Sequence, residues 1–264
     1  MKAVISLYTE GVTVYLKGRN TMKQNLLQKY AILLLCMSAG MADVIGYLGL
    51  GHVLTANMTG NIVLLGIAIA RAQEFVVLRS LLALLGFIAG NAIAAHMIGH
   101  VKTKNGWSPR VTAILTVESI LLLLFAILMI TPLAGQFSTL LIVLLGIAMG
   151  MQTTAARRIG IAGISTTVLT NNLAAVVEDA VSIFHRMKHV NVRSLANSLS
   201  ADSYLRAGAV VIYLGGVILA ALLFHHIPMV AVWIPVLVVA GVTLQARIAA
   251  WGKGEHLESD ADKH

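Results

Sequence analysis

Six separate runs of about 20 predominantly apolar residues decide what this chain can fold into. A run of that length is what an α-helix needs to cross a hydrocarbon core roughly 30 Å thick. The runs lie at about 30–50, 76–99, 111–131, 137–156, 204–224 and 228–245. Of the 264 residues, 58% are apolar and 11% charged, against roughly 45–50% and about 25% in soluble domains. A water-soluble fold has too little polar surface to enclose such a chain. The expected fold class is an all-α polytopic membrane protein, with the lipid bilayer as its first partner. Residues 1–29 are read as a cytoplasmic N-terminal extension, 30–245 as a single membrane domain, and 246–264 as a cytoplasmic tail. The N-terminus does not read as a signal peptide: the apolar stretch around Ala3–Tyr8 is short and Glu10 interrupts it. Met22 is an alternative start.

Two further apolar segments are too odd to count as spans. Thr59–Ala70 has 12 residues, about 18 Å as a helix, and Thr166–Ile183 contains Glu178 and Asp179. The basic residues indicate how to treat them, because cytoplasmic loops collect Lys and Arg. With six crossings and a cytoplasmic N-terminus, 17 of the 19 Lys and Arg fall inside and only Arg71 and Arg79 outside. With eight crossings the split is 14 to 5. Six transmembrane helices plus two short broken or re-entrant helices satisfy the rule better. The charge of +8 is thus spread over loops and is not a nucleic-acid patch, and both termini are expected to be cytoplasmic.

The chain also repeats itself. LLCMSAGM at 34–41 aligns with LLGIAMGM at 144–151, and FIAGNAIAA at 87–95 with YLGGVILAA at 213–221. Between them, Thr55, Thr59 and Asn61 match Thr166, Thr170 and Asn172 as T-x-x-x-T-x-N. The order span, short segment, span, span is stated twice, over about 30–131 and 137–245. Three crossings per copy make the two halves inverted repeats, an arrangement of transporters and channels whose site lies near the midplane.

Ionisable and polar groups inside apolar runs mark where function is to be sought. Asp43 lies within the first span and Glu118 within the third full span; both are candidate coupling residues. Asp43 is expected either beside a bound cation or Arg79, or protonated and hydrogen-bonded, or pinning the break between span and loop. Glu118 could equally snorkel or pair helices. Thr55, Asn57, Thr59 and Asn61, with Thr166, Thr170 and Asn172, supply hydroxyls and amides at the starts of the two short helices. Such residues suit helix N-caps, and a half-helix N-terminus offers N–H donors and partial positive charge to a polar or anionic solute. Both N-termini are expected to approach each other near the midplane. The plainer role for these groups is to satisfy the broken backbone.

Other features are weaker. Gly86 and Gly90 form G-x-x-x-G, which serves either a homodimer face or close packing inside the bundle, the latter preferred. His96 with His100 and His185 with His189 have metal-ligand spacing but no third ligand nearby, so no metal is assigned. The single Cys36 excludes an intramolecular disulfide. No Walker loop, dinucleotide motif or nucleophile elbow is present; no cofactor and no catalytic residue is assigned, and an enzyme is not expected.

The stretches GMADVIGYLGLGHVLTANMTGNIVLLG (40–66) and GMQTTAARRIGIAGISTTVLT (150–170) resemble the YoaK-like family of bacterial integral membrane proteins, from about Leu33 to Arg247. Gln152, in the second stretch, completes the candidate solute-binding set. One departure is Thr170-Asn171-Asn172, where Thr59-Gly60-Asn61 would lead one to expect a glycine. The resemblance implies a multi-pass protein of the bacterial cytoplasmic (inner) membrane and supplies no substrate, cofactor or catalytic residue. The expected function is transporter or channel for a small polar or anionic solute. The alternatives are a membrane interaction or structural subunit, or an enzyme on a lipid-linked substrate.

Overall fold

The computed structural model describes the backbone of residues 2–99, 107–159, 169–187 and 201–261, and the side chains of 26–99, 107–159, 169–182 and 203–248. Among the described residues all regular structure is helical: α1 (Lys2–Gly49), α2 (Met58–Ala70), α3 (Glu74–Ile98), α4 (Pro109–Met129), α5 (Ser138–Ile159), α6 (Leu169–Met187), α7 (Ala201–His226) and α8 (Pro228–Ala261). Six hold a stretch long and apolar enough to cross a membrane: Leu26–Gly49, Glu74–Ile98, Pro109–Met129, Ser138–Ile159, Ser203–His226 and Pro228–Ile248. Each matches one apolar run of the sequence to within a few residues. The chain is a multi-pass all-α membrane protein. The first helix starts at Lys2, well before the apolar run, because no proline lies between residues 2 and 29 to stop it.

The helix ends are set by local chemistry. Ser108 caps α4 through its hydroxyl, 3.3 Å from the Val111 amide, and Pro109 occupies the first turn where its missing N–H costs nothing. Gly99 ends α3 at φ +60, a conformation open to glycine. Pro228 starts α8 directly after Ile227. The 13 residues of α2 reach only about 20 Å, so this helix cannot cross.

Packing is close where side chains are small. A Cβ on Gly40 would lie 2.6 Å from the Tyr213 carbonyl oxygen, and one on Gly216 2.5 Å from that of Met37, so α1 and α7 touch backbone to backbone. Gly150 sits in the same way on the Phe87 carbonyl, and Gly90 on that of Ile147, joining α3 to α5. Gly86 faces Val143 of α5 as well, so the G-x-x-x-G pair is used inside the bundle. Gly40 and Gly150, Met37 and Ile147, Phe87 and Tyr213, Gly90 and Gly216 are the pairs that the sequence alignment of the two halves equates. Aligned positions therefore make the same contacts.

The correspondence extends to whole helices. When α1, α2, α3 and α4 are exchanged with α5, α6, α7 and α8, the packing of α3 on α5 becomes that of α7 on α1. Likewise α4 on α5 becomes α8 on α1, α2 on α3 becomes α6 on α7, and α3 on α4 becomes α7 on α8. Burial of the spans follows suit: 67% and 72% for α1 and α5, 22% and 17% for α3 and α7, 44% for both α4 and α8. Hence α1, α5, α4 and α8 form a central four-helix ring, with α3 and α7 outside it. The outer helices show lipid-facing residues such as Leu85, Ile88, Val211 and Ile218.

Side-chain contacts fix helix directions. Gly49 meets Met129 and Phe224, so α1, α4 and α7 finish at one end of the bundle. Gly51, just beyond α1, lies under the Arg79 guanidinium in the second turn of α3, so α3 starts at that end. Thr243 is 3.4 Å from Ser119, and Arg247 donates to Thr116 over 3.1 Å, which sets α8 antiparallel to α4.

Overpacking a close helix contact costs about 1–3 kcal/mol. Gly40→Val and Gly150→Val should each lower thermal stability in detergent by that order. Gly66→Ala, with nothing within 4 Å of the added carbon, should not lower it.

Candidate functional site

The connection between α1 and α2 does not run across the membrane surface; it turns back along α1. Gly51 (φ +86) and His52 (φ +66) reverse the chain, and the His52 amide closes the turn on the Tyr47 carbonyl at 3.0 Å. The returning strand packs on Gly46, where a Cβ would lie 2.7 Å from the Val53 carbonyl oxygen and 3.1 Å from the Thr55 methyl. Only glycine admits backbone that close. The strand ends at Asp43, six residues before the end of α1, or about 9 Å down the helix.

There the backbone is gathered by one carboxylate. Oδ1 of Asp43 accepts the amides of Thr55 (2.7 Å), Ala56 (2.6 Å) and Asn57 (3.2 Å), and Oδ2 accepts the Tyr213 hydroxyl from α7 at 2.6 Å. Asn61, on the second turn of α2, holds the same strand from its other side. Its Oδ1 accepts the Leu54 amide at 2.8 Å, and its amide group donates to the Leu54 carbonyl. Asn57 caps α2 by accepting the Gly60 amide at 3.4 Å. The start of α2 is thereby held within the membrane thickness, while a three-residue turn returns its end to the start of α3.

Asp43 is 3% exposed. A charge buried at such depth costs at least about 2.5–3.5 kcal/mol on insertion scales, and hydrogen bonds to a charged group return about 1.5–3 kcal/mol each. The four hydrogen bonds offset part of that cost, and they do so only while the segment between α1 and α2 is folded back. Asp43 is hydrogen-bonded and pins the break between span and loop. Its partners are backbone and Tyr213; Arg79 covers Gly51 instead.

The remaining candidates divide. Thr55 is buried, and its hydroxyl has no hydrogen-bond partner among the described residues; Asn57 and Thr59 are exposed on the first turn of α2. Asp43, Thr55, Asn57 and Asn61 are thus brought together. Gln152 lies on α5, fully buried, and donates to the Leu35 carbonyl of α1 at 2.8 Å, with no partner for its Oε1 among the described residues. Glu118 belongs to the buried stripe of α4, and neither carboxyl oxygen has a hydrogen-bond partner among the described residues. Thr170 is exposed at the start of α6 and Asn172 is buried one turn along; Thr166, His100 and His189 lie outside the described residues.

Helices α2 and α6 do not pack on each other among the described residues: α2 packs on α3 and α6 on α7. Short connections keep α2 beside α3, and Asp179 of α6 is fastened to α7 by Ser203 (2.5 Å) and Arg206 (3.8 Å). The residues seen together, Asp43, Thr55, Asn57 and Asn61, all belong to the first half. Tyr213 was not singled out from the sequence. Its signal was present: in the repeat alignment it stands where the other half has Phe87, and the difference is the hydroxyl that Asp43 uses.

The chain belongs to a family described as protein of unknown function (DUF1275), which matches residues 31–245. It is 44% identical over 226 residues to the transmembrane protein YoaK (UPF0700) of Bacillus subtilis strain 168, an overlap of 83% of this chain and 94% of that protein. No solved structure matches.

Asp43→Ala leaves three amides without an acceptor, at about 1–3 kcal/mol each. It should lower thermal stability by about 3 kcal/mol or more and speed hydrogen exchange across residues 53–58. Asp43→Asn keeps Oδ1 and should cost less, and Tyr213→Phe should cost about 1.5–3 kcal/mol. Unchanged exchange in Asp43→Ala would show that the carboxylate does not hold the strand.

Proposed function

We propose that this member of the family moves a small polar or anionic solute across the bacterial cytoplasmic membrane, as a transporter or channel, with both termini cytoplasmic. The observation that carries the reading is the half-length helix α2, whose N-terminus is held inside the membrane thickness by Asp43. An N-terminus so placed offers N–H donors and the positive end of the helix dipole where lipid offers nothing to a polar group. Irregular backbone at membrane depth is tolerated where it is buried in protein or lines a polar path. Asn57 and Thr59, exposed on the first turn, are the side chains assigned to the solute. No catalytic residue, cofactor or metal takes part, and the protein is not an enzyme on this reading.

The two halves are inverted repeats in this proposal. Helices α1 and α4 run in one direction with α3 opposed, and α7 runs with α1. Since α3 and α5 pack in parallel register (Gly86 on Val143, Gly90 on Ile147), α5 opposes its counterpart α1. Exchange of equivalent helices then corresponds to a two-fold axis in the membrane plane, passing between α1 and α5 and between α4 and α8. Alternating exposure of one site to the two sides follows from such symmetry when the halves rock on each other.

Orientation and transport can be read separately. Thr103→Cys and Ala134→Cys should label with membrane-impermeant thiol reagents from opposite sides, position 103 from the cytoplasm; the native thiol of Cys36 is buried. Labelling of position 103 from outside intact cells would sink the inverted topology. In liposomes, the purified protein should speed the osmotic swelling driven by at least one of a graded panel of small organic anions and neutral polyols, and Asp43→Ala should abolish the gain. Swelling no faster than in protein-free liposomes across the panel would favour a non-transporting subunit.

A further inference from the structure

We propose that the centre of the four-helix ring is a binding site for one monovalent cation, formed by the carboxylate of Glu118, the hydroxyl of Ser38 and the amide oxygen of Gln152. The site is distinct from the α2 N-terminus, and its occupancy does not depend on what solute, if any, the chain carries.

The three residues come from three of the four ring helices, and two contacts set their levels. Met129 of α4 reaches across the ring to Gly49 of α1, its methyl 2.8 Å from where a Cβ on Gly49 would stand. Glu118 lies 11 residues before Met129, and Ser38 lies 11 residues before Gly49. Eleven residues are three turns of helix, so in each helix the earlier residue sits on the face that carries the later one. The two helices run in the same direction. Ser38 and Glu118 therefore face each other across the ring, at one level, about 16 Å below the Gly49–Met129 contact. Neither helix packs directly on the other; each packs on α5 and α8, which leaves the interior between them. Gln152 of α5 is tied to the Leu35 carbonyl, one turn from Ser38 on the same helix. It reaches the layer from the third wall.

The chemistry of this layer is one-sided. All three side chains are 0% exposed. Both oxygens of Glu118, Oγ of Ser38 and Oε1 of Gln152 have no hydrogen-bond partner among the described residues. Three of these four atoms are acceptors when the carboxyl is ionised, and the hydroxyl can act as one. The Ser38 hydroxyl can donate a single proton, so the carboxylate and amide oxygens still call for a cation. No basic side chain among the described residues is seen to supply the charge: the ion pair among them is Arg206–Asp179, and Arg247, the nearest basic residue along α8, is exposed and bonded to Thr116. A carboxylate, a hydroxyl and an amide oxygen are hard oxygen ligands, of the kind that alkali and alkaline-earth ions take. One carboxylate balances one positive charge; a divalent ion would leave a net charge in a low-dielectric interior, at high cost. No group of three His, Cys, Asp or Glu exists among the described residues to hold a transition metal.

The test reads binding rather than transport. Purified full-length protein in detergent is titrated with radiolabelled Na+, and in a parallel arm with rubidium as a K+ surrogate, in choline chloride at fixed ionic strength. Wild type should bind one of the two saturably and melt at a higher temperature in its presence. Glu118→Gln, which keeps the shape and removes the charge, should lose affinity by at least about 100-fold, the factor equivalent to one uncompensated charge in mid-membrane. In choline it should melt no lower than wild type. Ser38→Ala should weaken binding by about tenfold, and carries the test if Glu118→Gln fails to fold. Absence of saturable binding of either ion to wild type would overturn the site, as would wild-type affinity in Glu118→Gln. A failure of solute transport would leave this result untouched.

Discussion

The structure depends on a single carboxylate placed where lipid would ordinarily forbid one. Asp43 satisfies three consecutive amides and the Tyr213 hydroxyl, and in doing so lets eight residues of irregular chain descend into the bundle. Without an acceptor there, the amides of residues 55–57 would need water, and the strand would have to lie at the surface. Helix α2 would then start at the surface too, and its apolar side chains would have no depth to occupy. The charge and the re-entrant strand are mutually required: the strand offsets part of the cost of the charge, and the charge supplies the strand's missing acceptor.

The second organising constraint is backbone proximity. Helices in lipid gain little from apolar burial against one another, so close contact must supply the association. Gly40, Gly90, Gly150 and Gly216 each bring a backbone carbonyl of a neighbouring helix to the surface of their own. Because these four positions are equivalent in the two halves, the same packing solution is used twice. That places α1 and α5, the two most buried spans, at the centre with α4 and α8. Among the described residues, α2 is fastened by Asp43 and Asn61, and α6 by Asp179 through Ser203 and Arg206.

Much of the frame was legible before any coordinates. Spans are read from apolar length, which is a property of sequence alone, and the six runs recur as six helices. The repeat was legible because packing glycines must recur wherever the same contact is made. What was not legible is which partner a polar side chain finds. Asp43 could have met Arg79, since both lie near one end of the bundle; the outcome turned on Gly51 and His52 reversing the chain, and on a tyrosine 170 residues away. Similarly, the matching T-x-x-x-T-x-N motifs did not show that α2 packs on α3 and α6 on α7. A motif fixes local capping and carries no information on which helices stand between two copies of it.

Two acids inside the membrane domain thus illustrate opposite solutions to one cost. Asp43 has all its capacity taken by the fold, so its removal should be felt as lost structure. Glu118 has none of its capacity taken by the described residues, although it is buried as deeply. Evenly packed leucine or valine in its place would remove the cost of a buried carboxyl at no loss of contact, as α4 shows at Leu115 and Leu122 one turn to either side. On the proposal above, the bound cation is what offsets the cost of burying Glu118. The chemistry of this protein is therefore to be sought at the centre of the ring as much as at the tip of the half-helix, and the two can be separated because one is held by hydrogen bonds and the other is not.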